Sequence, residues 1–157
     1  MIPVTSIEYT PNVDQLFLEI DFFKDQFVPY EDEKHGSVEG WLILRENADT
    51  IVLKSEREKF NEQYNLVGRS RARYYIQDSG VKIPAHIDYN TKCSANFILS
   101  GGSDPVSFDA GEFIYTSAIL DTTQKHWVNS TSKRVLFKIS YFDLSYEEIL
   151  GKINEPI

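Results

Sequence analysis

The sequence is poor in the features that would commit it to several large classes of protein. A single cysteine, Cys93, among 157 residues cannot close an internal disulfide or build a multi-cysteine zinc site. No apolar run approaches the ~20 residues needed to cross a bilayer, and Met1-Ile2-Pro3-Val4-Thr5 lacks the basic start of a secretory leader. Basic residues are scarce: 16 Lys and Arg against 24 Asp and Glu leave a net charge of −8, a field that repels phosphate backbones. Arg69, Arg71 and Arg73 come closest to a basic cluster, but their alternate spacing reads as one face of a strand. Internal repeats, low-complexity tracts and linkers are missing too. A disulfide scaffold, a membrane protein and a nucleic-acid binder are all disfavoured, and a reducing cytoplasm is the expected compartment.

What the chain does have is aromatic character. Phe, Tyr and Trp make up 13% of it, within an ordinary globular balance of 41% hydrophobic and 25% charged residues. The length suits one domain, expected over 1–157. Val13, Leu16, Phe17, Ile20, Phe23 and Phe27 recur at helical spacing, with Thr10-Pro11 as cap and first turn. Glu31 to Gly36 reads as a solvated acidic loop containing His35, Trp41 to Leu44 as a buried strand, and Lys54 to Asn65 as a charged helix.

From Ser70 the texture changes to short β runs, at about 70–77, 82–88, 93–99, 105–108, 112–120, 125–128 and 134–142. Turn chemistry such as Asp78-Ser79-Gly80 and Ser100-Gly101-Gly102-Ser103-Asp104 separates them. Ser145-x-x-Glu148 then opens a C-terminal helix through a capping box. The expected fold is mostly β with flanking helices: a jelly roll over 70–142, supported by a helical and strand segment at 1–69 and closed by a helix in 143–157.

Two of the three histidines, His86 and His126, fall in the β region. His86 is followed at i+2 by Asp88, and residues two apart on a strand face one side, so imidazole and carboxylate share a space. His126 lies on the sixth of the seven runs, where a jelly roll can bring the chain back beside the first. Two His and one carboxylate on one face of a metal form the facial triad of non-haem Fe(II) oxygenases, whereas a structural zinc would want a fourth ligand. Arg134 begins the next run, across a turn that could pair it with the His126 strand in a hairpin. An inward guanidinium is the side chain best shaped for bidentate capture of a carboxylate, such as the distal one of a chelating 2-oxo acid. Each element alone is a weak signal; their order on successive strands is the stronger one.

In this order, H-x-D…H…R, the chain resembles the 2-oxoglutarate/Fe(II)-dependent dioxygenase superfamily over about residues 70–142. Gly80-x-x-Ile83-x-x-His86-x-Asp88 looks like the prolyl-hydroxylase approach to the first metal strand. His126-x-x-Asn129 followed by Arg134-Val135-Leu136-Phe137 is more similar to the aspartyl/asparaginyl β-hydroxylase branch, some of whose members lack the carboxylate kept here as Asp88. The arginine-x-serine pair of plant-type members is absent, because Leu136 stands in the serine's place.

The resemblance implies a double-stranded β-helix of cupin-like form, Fe(II) on His86, Asp88 and His126, 2-oxoglutarate with its far carboxylate on Arg134, and O2 as second cosubstrate. It implies hydroxylation of an amino-acid side chain, free or peptidyl, coupled to decarboxylation of 2-oxoglutarate to succinate and CO2. Alternation adds Asn96 and Tyr75 as candidate hydrogen-bond partners of the cosubstrate, with Ile98 and Gln77 on the same faces. A monomer or homodimer is expected, without nucleic acid or membrane. Two other readings stay open: a cupin-like metal-binding module without oxygenase activity, and an interaction domain in which the three ligands never meet. If Arg134 faces inward, strict alternation also turns Lys138 and Ser140 inward, unless a bulge resets the register.

Overall fold

The computed structural model describes residues 2–32, 36–46 and 48–155. The apolar pattern from Ser70 onward resolves into short antiparallel strands because each run alternates between two buried faces. They are β4 (Ser70–Gln77), β5 (Lys82–His86), β6 (Cys93–Ser100), β7 (Val106–Phe108), β8 (Gly111–Phe113), β9 (Ser117–Leu120), β10 (His126–Asn129) and β11 (Arg134–Tyr141). The run expected at 112–120 is therefore two strands, broken where Ile114 is exposed and Tyr115 turns inward.

The N-terminal segment contributes three further strands, β1 (Val4–Ser6), β2 (Val28–Asp32) and β3 (Gly36–Ile43). The stretch read as an acidic loop thus supplies the facing ends of a β2–β3 hairpin. His35 lies outside the described residues. Helix α1 spans Val13–Phe22, ending before Phe27 as a short 3₁₀ turn takes over, and α2 spans Ile51–Gln63, starting ahead of Lys54. Asn12, not Thr10, caps α1, since its side chain accepts from the Gln15 N–H. The start of α2 borrows its cap from α1: the Glu19 carboxylate accepts from the Thr50 hydroxyl and the Val52 N–H. The charged helix does not turn all of its charge to solvent, because Glu56 is buried, accepting from the Tyr9 hydroxyl and the Asn12 N–H. Helix α3 (Tyr146–Ile153) begins with the expected Ser145–Glu148 capping box.

The strands form two sheets, one of seven strands in the order β1-β9-β6-β11-β4-β3-β2 and one of four in the order β5-β10-β7-β8. The larger sheet is covered on both faces, which explains its nearly continuous apolar strands. Tyr74, Phe97, Phe137 and Ile139 point to the helices and pack with Leu16, Leu53, Phe60 and Ile149. Tyr75, Ile98 and Leu136 point the other way, into a second core shared with Ile83, Val106 and Val128 of the smaller sheet. Cys93 lies in the helix-side core as a small hydrophobe, its thiol pushed up to about 12 chiefly by burial.

Two strands thought to form a hairpin separate instead. β10 pairs with β5 and β7 in the smaller sheet, while β11 lies between β4 and β6 in the larger. Their connection crosses the sandwich, so His126 and Arg134 come from opposing sheets. β11 runs unbroken against β4 from Arg134↔Gln77 to Tyr141↔Ser70. The irregularity falls on β6, where Val135↔Ser100 gives way to Leu136↔Ile98 and Leu99 is the extra residue. Alternation on β11 therefore survives, and Arg134, Leu136 and Lys138 all face the interior.

The start of β11 is held by the loop between β6 and β7. Gly101 has φ +74°, and a Cβ there would lie 2.0 Å from the Lys133 carbonyl oxygen and 3.0 Å from the Arg134 Cα. Gly101→Ala is expected to destabilise the protein by more than about 2 kcal/mol, combining left-handed strain with a backbone clash. Urea unfolding measures this directly, and a loss under about 0.5 kcal/mol would mean that the loop does not brace β11.

Candidate metal centre

His86, Asp88 and His126 converge. Ligand atoms from all three lie within 4.8 Å of one another, which among the described residues is the one such grouping of three or more His, Cys, Asp or Glu. The cause is strand register: His126 on β10 stands directly opposite His86 at the end of β5. β5 is an edge strand, and there it tolerates Pro84, which cannot donate a ladder hydrogen bond. Asp88 lies just past the strand, tethered by its N–H to the Thr122 carbonyl at 3.1 Å.

Both imidazoles are oriented alike. His86 Nδ1 is 2.8 Å from the Pro84 carbonyl oxygen and His126 Nδ1 is 2.8 Å from that of Gln124. A carbonyl can only accept, so each Nδ1 carries a proton, and in the neutral ring each Nε2 keeps the lone pair a metal needs. Those two Nε2 atoms lie 3.5 and 3.4 Å from Asp88 Oδ1. Packing fixes the rings further, with Phe108 stacked against His126 at 5.4 Å and Trp41 tilted against His86 at 5.5 Å. Trp127, on the other face of β10, lines neither adjoining cavity, as alternation predicts.

The other Asp88 oxygen accepts from Lys138 Nζ at 2.7 Å. Burial pushes the Asp88 carboxyl up, but the Lys138 charge, with the two imidazoles close by, outweighs it and holds the group well below the usual carboxylate range. Burial likewise opposes the Lys138 charge, and Asp88 more than restores it. Lys138 also lies over the Tyr75 ring, 5.0 Å from its centroid.

The triad separates two cavities. On the deep side, His86 and His126 share a pocket with Arg134, Gln77, Asn96 and Tyr115. Arg134 is 3% exposed; its Nη1 donates to Gln77 Oε1 at 3.2 Å, while its Nε is buried without a partner. Thr122 Oγ1, in the same pocket, is also buried and unpartnered. Asn96 is inside as alternation requires, but its amide is already engaged, accepting from Ser94 Oγ at 2.7 Å and facing the Tyr115 hydroxyl at 3.2 Å. Tyr75 borders both cavities. On the outer side, His86 and Asp88 open onto a cavity of about 470 Å³ that Arg45, Arg71 and Arg73 help to line.

Several residues here had no sequence signal. Gln77 shared a face with Tyr75, and Lys138 was inward by alternation, but nothing marked either as part of a site. Tyr115 and Thr122 sit outside regular strands, where periodicity is silent.

No protein-family model matches the sequence, and no curated protein matches it either. Solved structures do resemble the fold. A Trichoplax adhaerens prolyl hydroxylase, in complex with a hypoxia inducible factor oxygen degradation domain peptide fragment, is similar at 12% identity and TM-score 0.66, over 98% of this chain and 86% of that one. A Pseudomonas putida prolyl-4-hydroxylase is similar at 12% identity and TM-score 0.59, over 88% and 91%. A Burkholderia pseudomallei oxidoreductase of the 2OG-Fe(II) oxygenase family follows at 12% identity and TM-score 0.53, over 84% and 79%. The architecture is accordingly the double-stranded β-helix that these oxygenases share.

Proposed function

We propose that this chain, which has the fold of the 2-oxoglutarate/Fe(II) oxygenases, is itself an Fe(II)- and 2-oxoglutarate-dependent dioxygenase that hydroxylates an amino-acid side chain, free or peptidyl. The observation that carries the reading is a three-ligand set with both Nε2 atoms aimed at one carboxylate, beside a buried arginine whose Nε has no hydrogen-bond partner. His86, Asp88 and His126 would hold the metal, a donor set that leaves positions open for reactants. Bound there, Fe(II) with 2-oxoglutarate and O2 supplies the oxidation, the 2-oxo acid leaving as succinate and CO2.

The chain's own groups bind and orient. Arg134 would take the distal carboxylate of 2-oxoglutarate, with its orphaned Nε and Thr122 Oγ1 as unused donors in that pocket. Gln77 holds the guanidinium from one side, its own Nε2 donating to the Val81 and Val128 carbonyls. Asn96 and Tyr75 are assigned a supporting role at the cosubstrate, Asn96 through its contact with Tyr115. Apolar side chains such as Leu136, Ile83 and Val106 keep the deep pocket dry, which strengthens each polar contact in it. A metal-binding module without oxygenase activity would have no use for a buried guanidinium in this position. The peptide held by the Trichoplax adhaerens prolyl hydroxylase supports a peptidyl substrate. No helix among the described residues is long and apolar enough to cross a membrane, and one buried, unreactive thiol fits a reducing cytoplasm.

Anaerobic titration of the metal-free protein with Fe(II) and then 2-oxoglutarate tests the proposal. A weak visible charge-transfer band is expected only when both are present, and His126→Ala is expected to abolish it, weakening the metal by more than about 100-fold. Metal binding without a band would leave a non-oxygenase module; no metal binding would sink the triad.

A further inference from the structure

The outer cavity carries a charge opposite to that of the chain. Net charge is −8, yet Arg45, Arg71 and Arg73 all line this one opening beside Asp88. Arg71 and Arg73 share the interior face of β4, and register sets Arg73 directly opposite Lys138 on β11. Like charges on a cross-strand pair are unfavourable. Lys138 is neutralised by Asp88, but among the described residues none of the three arginines forms an ion pair.

The Nε atoms of Arg71 and Arg73 are buried without a hydrogen-bond partner. Arg71 lies over the Phe142 ring at 5.4 Å, which orients the guanidinium without neutralising it. Burial, Arg71 and Arg45 oppose the Arg73 charge, and Tyr75 favours it. Among the described residues, Glu31 is the other carboxylate on the cavity besides Asp88, exposed and unpaired with these arginines. Among the described residues no carboxylate pairs with any of the three guanidiniums at this opening, an arrangement that costs stability in the empty state and is relieved by an incoming oxyanion.

We infer that the substrate of this site carries a carboxylate or phosphate group, which Arg71 and Arg73, with Arg45 beside them, capture on the outer side of the triad. The inference rests on the oxygenase reading for the word substrate, and on the cavity alone for the anion. A volume of about 470 Å³ suits an acidic amino-acid side chain and its flanking backbone. Held there, the anion anchors the molecule so that a neighbouring carbon faces the His86–Asp88–His126 cluster. The deep arginine, Arg134, is a separate anion site on the other side of the triad.

Arginine side-chain NMR of the metal-free protein tests this without using catalysis. The probes are N-acetyl-aspartate N-methylamide, its asparagine counterpart and inorganic phosphate. The Nε–H resonances of Arg71 and Arg73 are expected to shift saturably with at least one oxyanion and not with the asparagine compound. Arg71→Gln combined with Arg73→Gln is expected to weaken that binding at least about tenfold, with backbone resonances reporting that the fold is kept. A response to the aspartyl probe alone assigns a carboxylate substrate, and one to phosphate alone a phosphorylated one. No shift with either, equal shifts with the asparagine compound, or shifts confined to Arg134 would overturn the inference. The charge-transfer titration reads only metal and 2-oxoglutarate, so the two readings can fail independently.

Discussion

Arg134→Met is expected to make the ligand-free protein more stable by about 1 kcal/mol while weakening 2-oxoglutarate binding by about 100-fold or more. The opposite signs come from one fact. The guanidinium is buried, its sole hydrogen bond among the described residues is to Gln77, and its Nε has no partner. Asp104 is the nearby carboxylate that feels this charge, but it makes no ion pair with it, so replacing the buried guanidinium by an apolar side chain of similar reach relieves desolvation. Against that stands the loss of one acceptor contact at Gln77 Oε1, a smaller effect because Gln77 Nε2 keeps both of its carbonyl partners. In the complex the balance reverses, since a buried carboxylate deprived of its arginine loses about 3–5 kcal/mol, equivalent to 100-fold or more in affinity. Urea unfolding of the ligand-free protein and titration of the charge-transfer band measure the two effects separately. Metal affinity is expected to stay put, because Arg134 touches none of the ligands. An unchanged 2-oxoglutarate midpoint would remove Arg134 from the cosubstrate site.

Lys138→Met is expected to do the reverse, destabilising the metal-free protein by about 3 kcal/mol. Asp88 is nearly buried, and Lys138 at 2.7 Å is its closest cationic partner; taking that partner away leaves a carboxylate in a low-dielectric pocket. The pH dependence follows from the direction of the shift. In the native protein the Asp88 pKa is depressed, so its contribution is fully present above the unfolded value of about 3.9 and is lost as pH falls through the lower folded value. In the variant, burial dominates and the pKa rises, so the destabilisation is largest at neutral pH and shrinks in acid. A divalent metal, which takes over the neutralisation of Asp88, is expected to restore much of the loss. Denaturation at pH 7 and pH 4, with and without Fe(II) under anaerobic conditions, checks all three points. Equal stability of variant and parent at pH 7 would mean that Asp88 does not depend on Lys138.

Strand alternation is a local property, and it held along β4, β6, β10 and β11. It placed Asn96 and Tyr75 inside, turned Trp127 away, and put Lys138 on the interior face with Arg134 despite its charge. Asp88 does meet His86, but from just past the end of β5, whose pairing with β10 is irregular. The capping box at Ser145 was equally legible, because both partners lie within one turn. The part of the site that can be read from the chain is therefore the part carried by period-2 spacing and by chemically distinctive side chains.

Only the tertiary structure decided which sheet each strand joins. A short turn between β10 and β11 favours a hairpin on local grounds, yet the chain changes sheets there, and that change sets Arg134 across the cavity from His126. It also decided that three N-terminal strands extend the larger sheet, that Asp88 takes Lys138 as its counter-charge, and that Arg45 joins Arg71 and Arg73 at the outer opening. The physical reason is common to all of these. Alternation and capping depend on residues a few positions apart, whereas strand partnership and ion pairing are settled by burying two faces of one sheet at once, a condition that involves the whole chain.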